Sequence, residues 1–231
     1  MAGNHIVRSI RRADAELISG LGAAGVATVH EAYRRRGLMD SQIRPIQLDA
    51  AVAGSAVTVS CAPGDNMMIH AAIEVVQPGD MLVVTTTSPS TDGMFGDLLA
   101  TSVLSRGGVG IVIDAGVRDV STLRKMGFPV WSRAVHAQGT VKATAGSVNV
   151  PIVCAGVSVE PGDVVVADDD GVVVVSLDEA EQTLDAANDR VEKEEATRRR
   201  LEAGELGLDL YGLRERLEGL GVEWVDDQDH R

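Results

Sequence analysis

The residues with the greatest chemical reach lie in one stretch, 96–120, which reads GDLLATSVLSRGGVGIVIDAGVRDV. Two carboxylates, Asp97 and Asp119, and one guanidinium, Arg118, fall at the ends of regular elements, where a rigid scaffold can aim them. A Gly96-Asp97 pair opening a helix leaves the N–H groups of Leu98 and Leu99 without intrahelical partners, and such groups favour an anion. Arg118 offers a planar fork suited to a carboxylate or a keto oxygen. Asp97 and Asp119 are hard oxygen donors for Mg2+ or Mn2+, ions that keep several waters and need few protein carboxylates. Together these parts suit an α-keto acid chelating a divalent metal, with its carboxylate on the helix end. The same residues have plainer roles, Gly-Asp as a helix cap and Arg-Asp as a surface ion pair, and spacing alone leaves both open. The absence of any thiol or histidine cluster speaks against zinc.

The elements that must position this stretch follow from the pattern around it. Residues 98–106 read as a helix and 109–114 as a buried strand; a strand at 81–87 precedes them, giving a strand–helix–strand unit. The polar segment 88–95 reads as a loop at the carboxyl end of the first strand, the edge where open α/β sheets place ligands. The motif from Asp114 to Asp119 is expected to follow its strand at that same edge, with a short helix over 120–126. Upstream, 13–37 reads as a helix in two pieces, broken near glycines 20, 22 and 25 and ending in Arg34-Arg35-Arg36-Gly37. The triple arginine is either a solvated helix end or a grip for an acidic ligand. Residues 54–61 read as a strand and 67–76 as a helix capped by Asp65 or Asn66. His70, alone on that helix, reads as a packed or surface residue. Strands are expected at 129–133, 141–145, 150–154 and 157–159, then a hairpin of 163–167 and 171–176 around an Asp-Gly turn. Three Pro-Gly-Asp signatures, at 63–65, 78–80 and 161–163, read as recurring turn chemistry rather than as a repeat.

From residue 178 the chain turns charged and helical, with Leu184, Ala187 and Val191 on one stripe, and a weaker amphipathic segment follows at 210–220. Trp224 and the acidic tail read as peripheral. A core of 1–177 and a C-terminal helical extension of 178–231, packing on a neighbouring subunit, are expected.

Bulk properties narrow the classes further. The 231 residues are 45% hydrophobic but only 3% aromatic, so the core must be built from Val, Ile, Leu and Ala. The formal net charge of −13 disfavours a phosphate backbone as partner. Cys61 and Cys154 fit no metal or redox spacing and read as small buried hydrophobes. With no apolar run of about 20 residues and no signal core, the chain reads as a soluble cytoplasmic protein without membrane or nucleic-acid partners. No glycine-rich cofactor loop follows a first strand, so a methyltransferase reading has no footing.

Residues 96–101 (GDLLAT) and 110–119 (GIVIDAGVRD), together with Pro63-Gly64-Asp65-Asn66, Asp168-Asp169-Asp170-Gly171 and the tail motifs at 193–195 and 204–208, resemble one family. It is that of the 4-hydroxy-4-methyl-2-oxoglutarate / 4-carboxy-4-hydroxy-2-oxoadipate aldolases. These are class II pyruvate aldolases of aromatic compound degradation, in one superfamily with the regulators of ribonuclease E activity. The resemblance implies an α/β fold, an α-β-β-α sandwich with a swivelling β/β/α core, assembled as homotrimers or homohexamers. It implies metal-dependent cleavage of 4-hydroxy-2-oxo diacids to pyruvate and a second keto acid, with oxaloacetate decarboxylase activity. By resemblance Asp119 is the direct ligand of Mg2+ or Mn2+, and Asp97 holds a metal-bound water. Arg118 steadies the keto oxygen and enolate, and the amides of Leu98 and Leu99, beside Gly96, seat the pyruvyl carboxylate. A glutamate of a neighbouring subunit's C-terminal helix completes the set through water; Glu194 is the best match, with Glu192 and Glu195 as alternatives. A metal-bound water is the expected proton carrier. Arg8, Arg34 and Lys142 are candidates for the distal carboxylates. The alternative is a non-catalytic regulator that binds ribonuclease E; the extension beyond residue 178 is the feature expected to favour the enzyme.

Overall fold

A computed structural model describes residues 4–225; the acidic tail from residue 226 lies outside them. The chain divides into two compact units, residues 1–188 and 189–231. The first unit holds helix α1 (Ala15–Ala32), strands β1 (Arg44–Pro45) and β2 (Val52–Cys61), α2 (Met67–Ile73), β3 (Asp80–Thr86), β4 (Gly93–Phe95), α3 (Asp97–Ser105), β5 (Gly110–Val117), α4 (Val120–Met126) and β6 (Val130–Val135). After these come β7 (Ser147–Val148), β8 (Ile152–Cys154), β9 (Val157–Val159) and the hairpin β10 (Val164–Asp168) and β11 (Gly171–Val175). Helix α5 (Ala180–Glu202) begins in this unit, and the second unit adds α6 (Gly207–Leu210) and α7 (Leu213–Gly219). In that second unit Arg200 pairs with Glu205 and Arg214 with Asp209, and the Arg214 guanidinium lies 5.8 Å from the Trp224 ring centre.

The main sheet runs β1-β6-β5-β3-β2-β10-β11, with β4 added to β5 and β7 to β2. The four strands β2, β3, β5 and β6 are mutually parallel, and α2, α3 and α4 are their crossovers. Strand alternation sorts the aliphatic residues into separate cores. Val57, Val59, Leu82, Val84, Ile111 and Ile113 face α2, α3 and α4. Ala56, Met81, Val83 and Val112 face the other way and meet Val165, Ala167, Val172 and Val174 of the hairpin. The opposite face of that hairpin packs on Leu21, Val26 and Val29 of α1. The layers are therefore helix, strands, strands, helices, as the α-β-β-α expectation has it. The sheet curls nearly closed like a barrel, because residues 37–45 bridge its edges. The Met39 N–H donates to the Val172 carbonyl, the Val174 N–H to the Gly37 carbonyl, and β1 pairs with β6.

Several boundaries differ from the sequence reading. The polar segment 88–95 contains strand β4, which pairs with β5 through a register shift. Strand β5 runs on to Val117 rather than ending near 114, so the turn begins at Arg118. Helix α2 stops at Ile73, and 141–145 forms no strand; only an isolated bridge joins Val141 to Asp65. The two pieces of α1 meet at Gly25, whose φ of 77° breaks the helix. Both cysteines are buried, and burial pushes the Cys61 thiol up to about 12. No described helix is long and apolar enough to cross a membrane.

Phe95 and Phe128, both fully buried, stack with centroids 5.7 Å apart and join β4 to the turn after α4. Phe128→Ala should therefore cost about 3–5 kcal/mol of stability in urea or guanidinium unfolding.

Candidate active site at the carboxyl ends of the strands

Gly96, Asp97, Leu98, Leu99, Arg118 and Asp119 line one cavity of about 200 Å3, beside Gly93 and Met94 of β4. The six residues expected from the central stretch thus line one cavity. Gly96 is the N-cap of α3, and having no side chain it makes no capping bond. Leu98 and Leu99 occupy the second and third helical positions, so their N–H groups have no intrahelical carbonyl to bind. Arg118 is anchored by its own N–H, which donates to the Phe95 carbonyl at 2.9 Å. Its Nε lies 3.5 Å from Asp119 Oδ2, and both side chains are about half exposed.

Asp119 is held in an unusual way. Its backbone is left-handed, with φ 56° and ψ 31°, and it precedes α4 without using its side chain as a cap. Aspartate tolerates this conformation better than most residues. The carboxylate is instead laid over Gly96: a Cβ there would sit 2.3 Å from Asp119 Oδ2 and 3.3 Å from Arg118 Cγ. Gly96 has an extended backbone, φ −155°, open to any residue. It is required for the space its missing side chain leaves, not for its torsion angles.

Residues from outside the central stretch complete the cavity: Asn66, His70 and Lys142. Lys142 arrives by a clasp. Asp65, only 2% exposed, accepts the N–H of Met67 at 2.9 Å, of Ala143 at 2.7 Å and of Thr144 at 2.6 Å. Burial opposes the charge on Asp65, but the backbone donors outweigh it and hold the carboxyl below its usual value of 3.8. His70 is shifted down, first by burial and then by the nearby Lys142 charge. The lone helical histidine, read as a packed or surface residue, is exposed at the surface and also lines this cavity. Its recruitment, like that of Lys142, depends on long-range packing that no local spacing records.

Other candidates fall elsewhere. Arg8 pairs with Glu74 on the surface at 3.6 Å. Arg34 lines a separate cavity with Tyr33 and Glu179, where Arg36 binds Glu179 at 2.6 Å and Arg35 pairs with Glu31. Glu194 lies in the second unit, its Oε1 2.8 Å from Arg190 Nε. Asp114 points away from the cavity and binds Arg133 and the Ala155 N–H. A larger cavity, about 480 Å3, opens at the opposite, amino ends of β2 and β3. Its charged pair is already neutralised: Arg12 makes two 2.8 Å bonds to Asp80, which also accepts the Gln77 N–H. Chemistry rather than size selects the smaller cavity.

A family profile described as "RraA-like: Aldolase/RraA" matches residues 26–174, the span that carries every wall of this cavity. The chain belongs to the RraA-like family. Among its relatives, a protein of Halalkalibacterium halodurans named "Putative 4-hydroxy-4-methyl-2-oxoglutarate aldolase" is 31% identical over 173 residues, 75% of this chain and 82% of that one. Streptomyces coelicolor RraAS2, described as an unusual member of the RNase ES inhibitor RraA protein family, superposes with a TM-score of 0.74. It is 33% identical, covering 82% of this chain and 99% of its own. The RNA-processing inhibitor RraA of Thermus thermophilus gives a TM-score of 0.59 at 25% identity, over 64% of this chain and 90% of its own. The RraA-like fold is thus shared by proteins named as aldolases and proteins named as ribonuclease inhibitors.

Whether a divalent cation suits this RraA-like cavity is decided by its donors. Asp119 spends no oxygen on capping and rests in the Gly96 cradle, while Asp97 opens α3 beside it. His70 lines the same cavity, but among the described residues no three His, Cys, Asp or Glu are grouped closely enough to hold a metal between them. Two hard oxygen donors fit Mg2+ or Mn2+, which retain water and share their coordination with substrate. They do not make a closed structural site.

Two outcomes follow. Gly96→Ala should leave the fold intact but displace the Asp119 carboxylate; if that carboxylate is a metal ligand, Mn2+ affinity measured by calorimetry should fall roughly 10- to 100-fold. Asp65→Asn should cost roughly 1.5–3 kcal/mol by removing a charged acceptor from three N–H groups. Because the folded-state pKa of Asp65 is lowered, its contribution is complete above 3.8 and is lost as pH falls through that folded value. Acid titration of stability should show this component in the parent protein and not in the variant.

Proposed function

We propose that the chain is a divalent-metal-dependent carbon–carbon lyase. Its substrates in this reading are 4-hydroxy-2-oxo diacids, such as 4-hydroxy-4-methyl-2-oxoglutarate and 4-carboxy-4-hydroxy-2-oxoadipate, which it cleaves to pyruvate and a second keto acid. The observation that carries this reading is the carboxylate of Asp119 seated over Gly96, between Arg118 and the first turn of α3. In this reading the Asp119 carboxylate would hold the cation, beside a guanidinium and a pair of backbone donors that line the same small cavity.

Each part has a role in the reading. The Leu98 and Leu99 N–H groups hold the pyruvyl carboxylate at the positive end of α3. Arg118 places its guanidinium against the keto oxygen, where negative charge develops as the C3–C4 bond breaks. Asp119 and Asp97 hold Mg2+ or Mn2+, which when bound supplies Lewis-acid polarisation of that oxygen. Lys142 faces the distal carboxylate. In this reading the C4 hydroxyl gives its proton to a base as the C3–C4 bond breaks, and a proton returns to C3 of the enolate; His70, whose pKa is shifted down by burial and by Lys142, is the wall group assigned to carry it. Enolate stabilisation of this kind also serves oxaloacetate decarboxylation. Glu194 is assigned as a further carboxylate contributed by a neighbouring subunit of a homotrimer or homohexamer, with residues 178–231 as the extension that delivers it.

A second reading, a non-catalytic partner of ribonuclease E, draws on the RraAS2 likeness. That match covers 82% of this chain and 99% of its own, so about a fifth of this chain lies outside it. Chemistry separates the two readings. Asp119→Ala should abolish Mg2+-dependent pyruvate release from 4-hydroxy-4-methyl-2-oxoglutarate, a loss of at least 1,000-fold, with unchanged thermal unfolding. Undiminished release in that variant, or none from the parent protein with Mg2+ or Mn2+, overturns the lyase reading.

A further inference from the structure

Asn149 is bonded at one end only. The residue is 3% exposed, and its Nδ2 donates to the Val7 carbonyl at 2.8 Å. Reversing the amide would set two carbonyl oxygens against each other, so that bond fixes its orientation. Its Oδ1 is buried and has no hydrogen-bond partner. A buried acceptor without a donor is costly, and such a group points to a donor that arrives from outside. Asn149 lines a cavity of about 390 Å3 that shares no wall residue with the candidate active site.

That cavity is built in advance. Segment 5–12 forms one wall and pairs with β7: the Val148 N–H donates to the His5 carbonyl, and the Val7 N–H to the Val148 carbonyl. Gly162 brings the turn before β10 against this segment, since a Cβ there would lie 2.1 Å from the Arg11 carbonyl oxygen. Val7, Ile10, Pro151 and Leu177 give the cavity an apolar surface. Its charge is acidic: among the lining residues, Glu160, Asp163 and Asp178 stand against Arg11 alone. Asp163 spends both oxygens on the N–H groups of Glu160 and Leu177, so it lends charge but no acceptor. Burial first, and then the Asp178 charge, push its carboxyl above the usual value despite those two bonds. Glu160 and Asp178 are exposed, and the 3.2 Å contact of Asp178 with Arg11 is of the weak surface kind that a ligand can replace.

The occupant that fits is a cation with N–H donors and an apolar body. An anion would meet three carboxylates, and a neutral molecule would gain nothing from them. Among the described residues no three His, Cys, Asp or Glu are grouped closely enough to hold a metal ion, so charge spread along a chain suits the cavity better than a point ion. A primary ammonium has only donors, and supplies the one that Oδ1 lacks. We propose that this cavity binds a free aliphatic diamine, with one ammonium donating to Asn149 Oδ1, the methylene chain along Val7, Ile10 and Leu177, and the charge met by Glu160 and Asp178. The site stands independently of the lyase reading.

Calorimetry on the full chain at low ionic strength, with 1,4-diaminobutane as probe, tests it. Saturable binding is expected, with 1,4-butanediol, the same chain without charge, at least about tenfold weaker. Asp178→Asn and Glu160→Gln should each weaken diamine binding roughly two- to fivefold. Glu202→Gln removes the same charge from a residue outside the cavity and should leave binding unchanged. Asn149→Gly accepts the left-handed backbone at this position, φ 56°, and should weaken binding about tenfold. If that variant does not fold, the two exposed carboxylate variants decide. Four results overturn the proposal: equal binding of diol and diamine, equal weakening by Glu202→Gln and Asp178→Asn, full affinity in folded Asn149→Gly, or no saturation by about 10 mM diamine. The last would assign the Asn149 acceptor to a buried water.

Discussion

The missing side chain at residue 96 is the constraint on which the site depends. The Asp119 carboxylate lies where a Cβ would be, so glycine and carboxylate are two halves of one contact. That contact demands that the end of β5 and the start of α3 meet closely. β4 makes this possible: it pairs with β5, and its Phe95 carbonyl receives the Arg118 N–H. The left-handed backbone at Asp119 then turns the chain into α4 while freeing the side chain from capping duty. Strain of this kind persists only where the surroundings over-determine it. Here those surroundings are the strand pairing behind Arg118 and the helix that follows Asp119.

A second organising device is the Pro-Gly-Asp turn. In all three copies the aspartate is buried: Asp65 is 2% exposed, Asp80 1% and Asp163 5%. Each accepts backbone N–H groups near its own turn: Met67 for Asp65, Gln77 for Asp80, Glu160 for Asp163. Each then reaches a distant segment: Ala143 and Thr144, Arg12, and Leu177 respectively. Buried carboxylates satisfied in this way are anchors, because losing a donor leaves an uncompensated polar group. Two of the three hold structure alone. The Asp65 anchor also sets the cavity, since residue 142 lies between the bridge at Val141 and the bonded amides of Ala143 and Thr144.

What was legible in the sequence was local. Aliphatic periodicity and turn chemistry located β2, β3, α3, β5, α4 and the β10–β11 hairpin to within a few residues, and placed Asp97, Arg118 and Asp119 at element ends. The polar composition of 88–95 concealed β4, because a three-residue strand stabilised by pairing to β5 needs no hydrophobic alternation. The strand read as ending at Asp114 runs on to Val117, and Arg133, on the neighbouring strand, pairs with the Asp114 carboxylate inside the sheet. Asn66, His70 and Lys142 reach the cavity through α2 and the Asp65 clasp, contacts that span from 28 to 79 residues of sequence. Their side chains carried chemistry in the sequence, but their company did not.

The cavity also resolves an electrostatic tension. A chain of net charge −13 repels a dicarboxylate at long range, and that field sets encounter rather than binding. Within the cavity the balance is different. Arg118, Lys142 and the free N–H groups of α3 face the same small volume, against the carboxylates of Asp97 and Asp119. A divalent cation on those carboxylates would turn the local sum positive, so metal and anionic substrate favour each other's binding. An acidic surface and a cavity that gathers Arg118, Lys142 and the α3 N–H groups are therefore compatible.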